Sequence, residues 1–261
     1  MRALTIAATG MLAQQTNVEV ISNNIANLNT TAYKRSRVEF QDLLYQDQRR
    51  VGSASSEAGT IVPAGLQVGL GVRAAAVYRL NQQGTLQLTE NTLDLGIRGE
   101  GFFNIQLPNG QTAYTRSGSF QLSPTGQIVT QDGYPVLPGI TVPQNTLDIS
   151  INAAGQAYAK LDGVVQPQLL GQFTLSNFPN VAGLESIGQN LMLQTPASGA
   201  PVAGTAGALG FGTMQQGFLE ASNVNAVAEI TNLITAQRAY ELNSKVIQST
   251  DDMMGIINQL K

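Results

Sequence analysis

Apolar side chains recur seven residues apart at both ends of the chain and in short, punctuated runs between them. Near the N-terminus, Leu4, Met11, Val18 and Ile25 form one such series, and Ala7, Gln14, Ile21 and Leu28 fill the intervening positions. A seam of this a/d type, sustained over about four heptads, is a coiled-coil-type signal. It predicts a helix from about residue 3 to 29, roughly 40 Å long at ~1.5 Å per residue. Asn29-Thr30-Thr31 stops it, because such side chains compete for backbone hydrogen bonds. The segment from about 223 to 260 repeats the design. Leu233, Tyr240, Ile247 and Met254 stand seven apart, and Ala239, Val246, Met253 and Leu260 each precede the next position by one. Ser222-Asn223 reads as the N-cap signal of that second helix, and Glu241 and Lys245 stand in the favourable i,i+4 order.

The face opposite the first seam sharpens the picture. It carries Asn23, Asn24 and Asn27 with Ile6, Leu12 and Val20, and between Ala3 and Tyr33 the one charged residue is Glu19. A solvated helix face ordinarily carries charge. Such an amide-and-aliphatic face fits either a helix buried inside one molecule or a helix that meets protein on several sides.

From Gly69 onward the period changes. Apolar runs such as Val72–Leu80, Phe102–Leu107, Thr112–Thr115, Gln156–Lys160 and Leu169–Leu175 alternate with turn residues at about ten-residue spacing, the signature of an antiparallel meander or barrel. Pro108-Asn109-Gly110 and Gln131-Asp132-Gly133 are hairpin-type turns, since Asn-Gly and Asp-Gly accept positive φ. Gly52–Gly65 and Pro196–Gly212, rich in Ala, Ser, Thr and Gly, read as extended connectors.

Composition supports this tripartite division. All 10 prolines lie between Pro63 and Pro201, and 25 of the 27 glycines lie between Gly52 and Gly217. That central stretch holds five basic and eight acidic residues. The fold class expected is α+β, with long terminal helices forming a coiled-coil-like domain (1–33 and 221–261). A connector at 34–70 follows the first helix, and a central antiparallel β domain occupies 71–220. The chain of 261 residues has a net charge of −3 and lacks Cys, His and Trp. No disulfide, thiolate nucleophile, Cys/His zinc site or Ser-His-Asp triad can therefore be built, and a pI near 5 argues against nucleic acid as main partner. Neither end offers ~18 consecutive apolar residues for a membrane span. The heptad runs through Met1–Ala13 without a cleavage site, so the N-terminus is expected to be retained.

The string Ser22-Asn23-Asn24-Ile25-Ala26-Asn27-Leu28-Asn29-Thr30-Thr31-Ala32-Tyr33-Lys34 resembles the N-terminal signature of flagellar rod and hook proteins, with Ala32 where that pattern usually has Gly. Ile97-Arg98-Gly99-Glu100-Gly101-Phe102-Phe103, Tyr114-Thr115-Arg116-Ser117-Gly118-Ser119-Phe120 and Gln237-Arg238-Ala239-Tyr240-Glu241-Leu242-Asn243 continue the likeness to the C-terminus. Tyr45–Pro63 looks like the insertion that sets a rod-type branch of the family apart from hook subunits. The resemblance implies a non-enzymatic structural subunit without cofactor. Such a subunit would be exported without cleavage and assembled in the periplasm into a tube whose inner layer is the paired terminal helices. It implies as partners further copies of the chain, other rod subunits, the hook subunit, surrounding ring (bushing) proteins and the rod cap with its peptidoglycan hydrolase.

On that reading the assembly residues are Leu4, Met11, Val18, Ile21, Ile25, Leu28, Asn23, Asn24, Asn27 and Tyr33, with Leu233, Tyr240, Ile247 and Met254. Lys34, Arg35, Arg37, Arg49 and Arg50 make a basic arm, read either as solvated or as meeting Glu220, Asp251 or Asp252 of a neighbouring copy. Gly99-Glu100-Gly101 reads as a hairpin corner rather than a phosphate loop, since no P-loop lysine follows. Asp94 and Glu100 read as structural acids rather than a glycosidase pair, and Asn223 and Asn225 as caps. The competing function class is a cell-wall carbohydrate hydrolase or binding module, which has no evident use for two helical ends.

Overall fold

The computed structural model describes residues 2–49 and 65–259; most of the insertion expected at 45–63, together with Arg50 and Leu260, lies outside them. The chain divides into two units, one of residues 1–26, 36–79 and 225–261 and the other of residues 27–35 and 80–224.

The first unit holds α1 (Arg2–Ala26), β1 (Ser36–Asp42), β2 (Tyr45–Arg49), β3 (Leu66–Gly69), β4 (Val72–Arg79) and α2 (Ala226–Gln259). The helices pack antiparallel. A Cβ added at Gly10 would lie 2.9 Å from the Asn243 amide nitrogen, and Asn24 donates to Glu229 at 3.1 Å. Both contacts fit one register, in which α2 runs past the start of α1 by about two turns. Two helices close to this distance only where a small residue allows it, which is the service Gly10 performs.

On α2 one series of buried or half-buried positions steps by three, four or seven: Glu229, Leu233, Ala236, Asn243, Ile247, Thr250 and Met254. Three of the four residues seven apart in the sequence, Leu233, Ile247 and Met254, thus lie on the packed side, while Tyr240 is exposed. Their alternates in the series are Glu229, Ala236, Asn243 and Thr250; of the expected Ala239, Val246 and Met253, Ala239 is half-buried and the other two are exposed. Val246 and Met253 are about half exposed, because the small and polar alternates let the helices approach where larger aliphatics would hold them apart. The first turn of α2 is capped by Asn225, whose Oδ1 accepts the Ala228 N–H at 3.1 Å; Ser222-Asn223 lies before the cap.

Of the expected connector at 34–70, residues 36–42, 45–49 and 66–69 are strands, and β4 falls where the apolar run Val72–Leu80 predicted one. β1 pairs antiparallel with β4 and β2 with β3. Leu43 N–H to Gly71 O and Leu70 N–H to Leu44 O carry the ladder across the junction, so the four strands make one long two-stranded ribbon.

The second unit is built from short antiparallel strands. In chain order they are β5 (Leu86–Leu88), β6 (Leu95–Arg98), β7 (Phe102–Gln106), β8 (Thr112–Thr115), β9 (Gln121–Leu122), β10 (Ile128–Val129), β11 (Thr146–Ile151) and β12 (Gln156–Leu161). Then follow β13 (Gln168–Gln172), β14 (Thr174–Asn177), β15 (Glu185–Gly188), β16 (Leu191–Leu193), β17 (Val202–Thr205), β18 (Thr213–Gln216) and β19 (Phe218–Glu220). The largest sheet has the order β15-β16-β8-β7-β14-β17, beside a three-stranded β11-β12-β13. Asn109-Gly110 turns β7 into β8 with Gly110 at φ 82°, a left-handed conformation that glycine adopts without strain.

Two corrections to the expected strands follow. The run Leu169–Leu175 is split at the fully buried Phe173 into β13 and β14, which belong to different sheets. The stretch Pro196–Gly212 is not a bare connector, since β17 within it pairs with β14. The main core gathers Leu95, Ile97, Phe103, Ile105, Phe120, Ile128, Phe173 and Leu175, with Phe103 and Phe120 edge to face at 5.1 Å, the arrangement the aromatic quadrupole favours.

Candidate functional site

The site begins with the faces of the helix pair. Ile21 is buried and Leu4, Met11, Val18 and Ile25 are half-buried on α1, as are Leu233, Ile247 and Met254 on α2; Tyr240 is 44% exposed. Asn23 is exposed, whereas its neighbour Asn24 is 1% exposed. Asn24 is therefore not part of an outward face. Its Oδ1 accepts the Ser36 N–H at 2.9 Å, and its amide donates to Ser36 O at 2.9 Å and to Glu229 Oε2 at 3.1 Å. A single side chain thus joins α1, α2 and the start of β1.

The far side of α2 exposes apolar residues: Val227, Ile230 and Ile234 near its start, then Leu242, Val246, Met253 and Ile256. Arg238, Glu241 and Lys245 separate the two groups. Single exposed aliphatics are ordinary, but a helix bearing them opposite its packed seam has a second face suited to protein.

Leu28 and Tyr33, both half-buried, belong to the second unit, in the segment 27–35 that follows α1. Asn27 accepts there from Thr30 Oγ1 at 3.1 Å. This segment is bound to the β strands by a buried ion cluster within one chain, where the sequence suggested either a solvated arm or contacts between copies. Lys34 Nζ donates to Glu220 Oε1 at 2.5 Å and to Gln82 O at 2.9 Å. Arg116 Nε donates to Glu220 Oε2 at 2.9 Å, and the Gly84 N–H also donates to Oε1. All three charged side chains are at least nine-tenths buried. Burial holds the Lys34 ammonium below the ordinary lysine range, and the neighbouring Glu220 carboxylate opposes that shift. Ala32 N–H to Glu220 O, Asn190 Nδ2 to Thr31 O, and Asn223 to the Arg35 N–H and the Leu80 and Gln82 carbonyls complete the hold. Asn223 is thus a strap rather than a cap.

Ala32, where the family pattern usually has Gly, sits at φ 57°, a left-handed conformation that costs an L-residue roughly 1–2 kcal/mol. Ala32→Gly is expected to stabilise the second unit by about 1 kcal/mol, read as a higher urea midpoint at unchanged slope. A lower midpoint would show that the buried methyl matters more than the strain.

The corner Gly99-Glu100-Gly101 turns its carbonyls inward: Arg116 Nη1 donates to Gly99 O at 2.8 Å and to Gly101 O at 2.7 Å. A phosphate cradle needs N–H groups aimed at the anion, so this corner serves the opposite charge. Asp94 accepts from Thr89 and Asn91, and Glu100 from Asn177, each within its own local network.

Comparison with known proteins bears on what these faces do. Residues 4–34 match the family model described as "Flagella basal body rod protein". Residues 96–159 match "Flagellar hook protein FlgE/F/G D1 domain", and residues 215–260 match "Flagellar basal body rod FlgEFG protein C-terminal". The chain is similar to the flagellar basal-body rod protein FlgG of Caulobacter vibrioides, at 59% identity over 261 residues covering 100% of both chains. It is 52% identical to the FlgG of Agrobacterium fabrum over 99% of each. It is 38% identical to that of Bacillus subtilis over 100% of this chain and 99% of the other.

Proposed function

The chain belongs to the flagellar basal-body rod protein family, and from that premise we propose how it serves as a structural subunit of the distal rod. Segments 1–33 and 221–261 act as one helical domain that pairs, coiled-coil-like, with copies of itself to form the inner layer of a tube. Segment 71–220 forms an outer layer, and 34–70, with the insertion 45–63, adds axial contacts that stiffen it. The tube crosses the periplasm, is exported without cleavage, and carries torque from motor to hook. Its neighbours are other rod subunits, the hook subunit, the surrounding ring proteins and the rod cap with its peptidoglycan hydrolase. Leu4, Met11, Val18, Ile21, Ile25, Leu28, Asn23, Asn27, Tyr33, Leu233, Tyr240, Ile247 and Met254 remain the residues assigned to the helical layer. Asn24 supports it from inside the fold.

The observation that carries this reading is the two-sided α2, with one seam packed on α1 and an exposed apolar face opposite. A helix with two such faces is suited to meeting protein on both sides. A heterologous contact that does not close gives a helical filament. In a strain lacking its own distal-rod subunit, the chain is expected to restore swimming, and deletion of residues 2–26 to abolish it. Swimming at full speed with the deleted chain, or a closed ring in purified protein, would overturn the proposal.

A further inference from the structure

We propose that the groove between α1 and α2 receives the Leu242/Val246 ridge of a second copy of this chain; the inference rests on the rod reading above and names the contact within it. The groove is lined by Gln15, Val18 and Glu19 of α1 and by Gln237, Tyr240 and Glu241 of α2. Val18 and the exposed part of Tyr240 supply its apolar floor, and a carboxylate stands on each helix. Glu241 is engaged by Arg238 at 2.9 Å. Glu19 accepts from the Gln15 amide at 3.1 Å and makes no ion pair among the described residues.

The ridge has complementary character. Leu242 is 63% and Val246 45% exposed. Lys245 stands between them and makes no side-chain hydrogen bond or ion pair among the described residues. An apolar pair flanked by an uncommitted cation fits an apolar floor flanked by an uncommitted carboxylate, and Lys245 of one copy is matched with Glu19 of the next. At ~100° per residue, the ridge lies about 165° around α2 from the groove residues Gln237, Tyr240 and Glu241. The two surfaces therefore belong to different sides of one helix pair, and their union is heterologous. Repetition of it adds copies without using up either surface, which is the condition for an open polymer.

The chain contains no cysteine, so an introduced pair reports without ambiguity. Gln237→Cys, in the groove but outside the assembly residues named above, and Val246→Cys in the same chain cannot join within one molecule. The two positions stand roughly 13 Å apart along α2, beyond the ~7 Å Cα limit of a disulfide. In cells that swim on this double variant, oxidation is expected to give a ladder of covalent multimers. Gln237→Cys or Val246→Cys alone would give at most dimers. Lys245→Glu is expected to reduce the laddered fraction about fivefold, the scale of one exposed ion pair, and Glu19→Lys in the same chain to restore it. Swimming cells without a ladder, or charge reversals whose effects simply add, would overturn the contact while leaving the rod reading intact. Failure of the unsubstituted chain to restore swimming would overturn the rod reading and this contact with it.

Discussion

Replacing Glu220 by alanine is expected to destabilise the second unit by about 3–5 kcal/mol, the range for removing one partner of a buried ion pair. Glu220 is the shared acceptor of Lys34 and Arg116, and its loss strands two buried cations around one vacated site. For a unit of this size the loss corresponds to a fall in melting temperature of roughly 10 °C. Glu220→Gln keeps one acceptor for Lys34 and should fall between alanine and the native chain. A melting temperature within two degrees of native for Glu220→Ala would show that the cluster contributes little.

The same cluster fixes the direction of a pH effect. Burial lowers the Lys34 pKa from its ordinary value, and the Glu220 carboxylate pushes the other way. Without that carboxylate the folded-state value drops further, while the unfolded value stays near 10.4. Between the two values the unfolded chain binds the extra proton, so stability of the alanine variant rises with pH across that window. Its deficit relative to the native chain is therefore largest near neutral pH and shrinks under alkaline conditions. Urea midpoints across that pH range check the sign.

The parts of this fold that were legible in the sequence are those where burial and side-chain character coincide. Leu233, Ile247 and Met254 are large and lie on the packed side of α2, so the seven-residue spacing announced the seam. Glu229, Ala236, Asn243 and Thr250 occupy the alternate positions without an apolar signature. A search for aliphatics therefore fell on Val246 and Met253, which face outward. The run Val72–Leu80 foretold β4, but the other strands of the ribbon were illegible for a related reason. Tyr45–Arg49 is polar, and its strand character comes from pairing with Leu66–Gly69, since strand preference depends chiefly on context.

The ion cluster shows a different limit. Lys34 and Glu220 are 186 residues apart, and charge alone named Glu220 as a partner for the basic arm but set it in a neighbouring copy, with a solvated arm as the alternative. Topology decides otherwise, because Ala32 N–H already binds Glu220 O and brings the arm to β19. Asn24 was grouped with Asn23 by residue type, although adjacent positions stand ~100° apart around a helix. The turn after α1, which returns Ser36 to the helix, is what separates their roles.

That separation gives the second large effect. Asn24→Ala removes three hydrogen bonds and leaves the Ser36 N–H and C=O without the side chain that satisfies both. With ~1–3 kcal/mol for a buried polar group left unpaired, the first unit is expected to lose about 2–4 kcal/mol. Asn24→Asp should be worse, since it sets a second carboxylate against Glu229 and replaces two donated bonds by repulsion. Asn23→Ala, at an exposed position, is expected to cost less stability than Asn24→Ala and to show its effect in swimming as well. Urea unfolding followed by helical ellipticity, set beside swimming speed, distinguishes the two residues. Equal midpoints for Asn23→Ala and Asn24→Ala would mean that the amide at Asn24 does not hold α1, α2 and β1 together. A large midpoint shift at Asn24 alone would place the two neighbouring asparagines on different levels, one building the helix pair and the other facing outward from it.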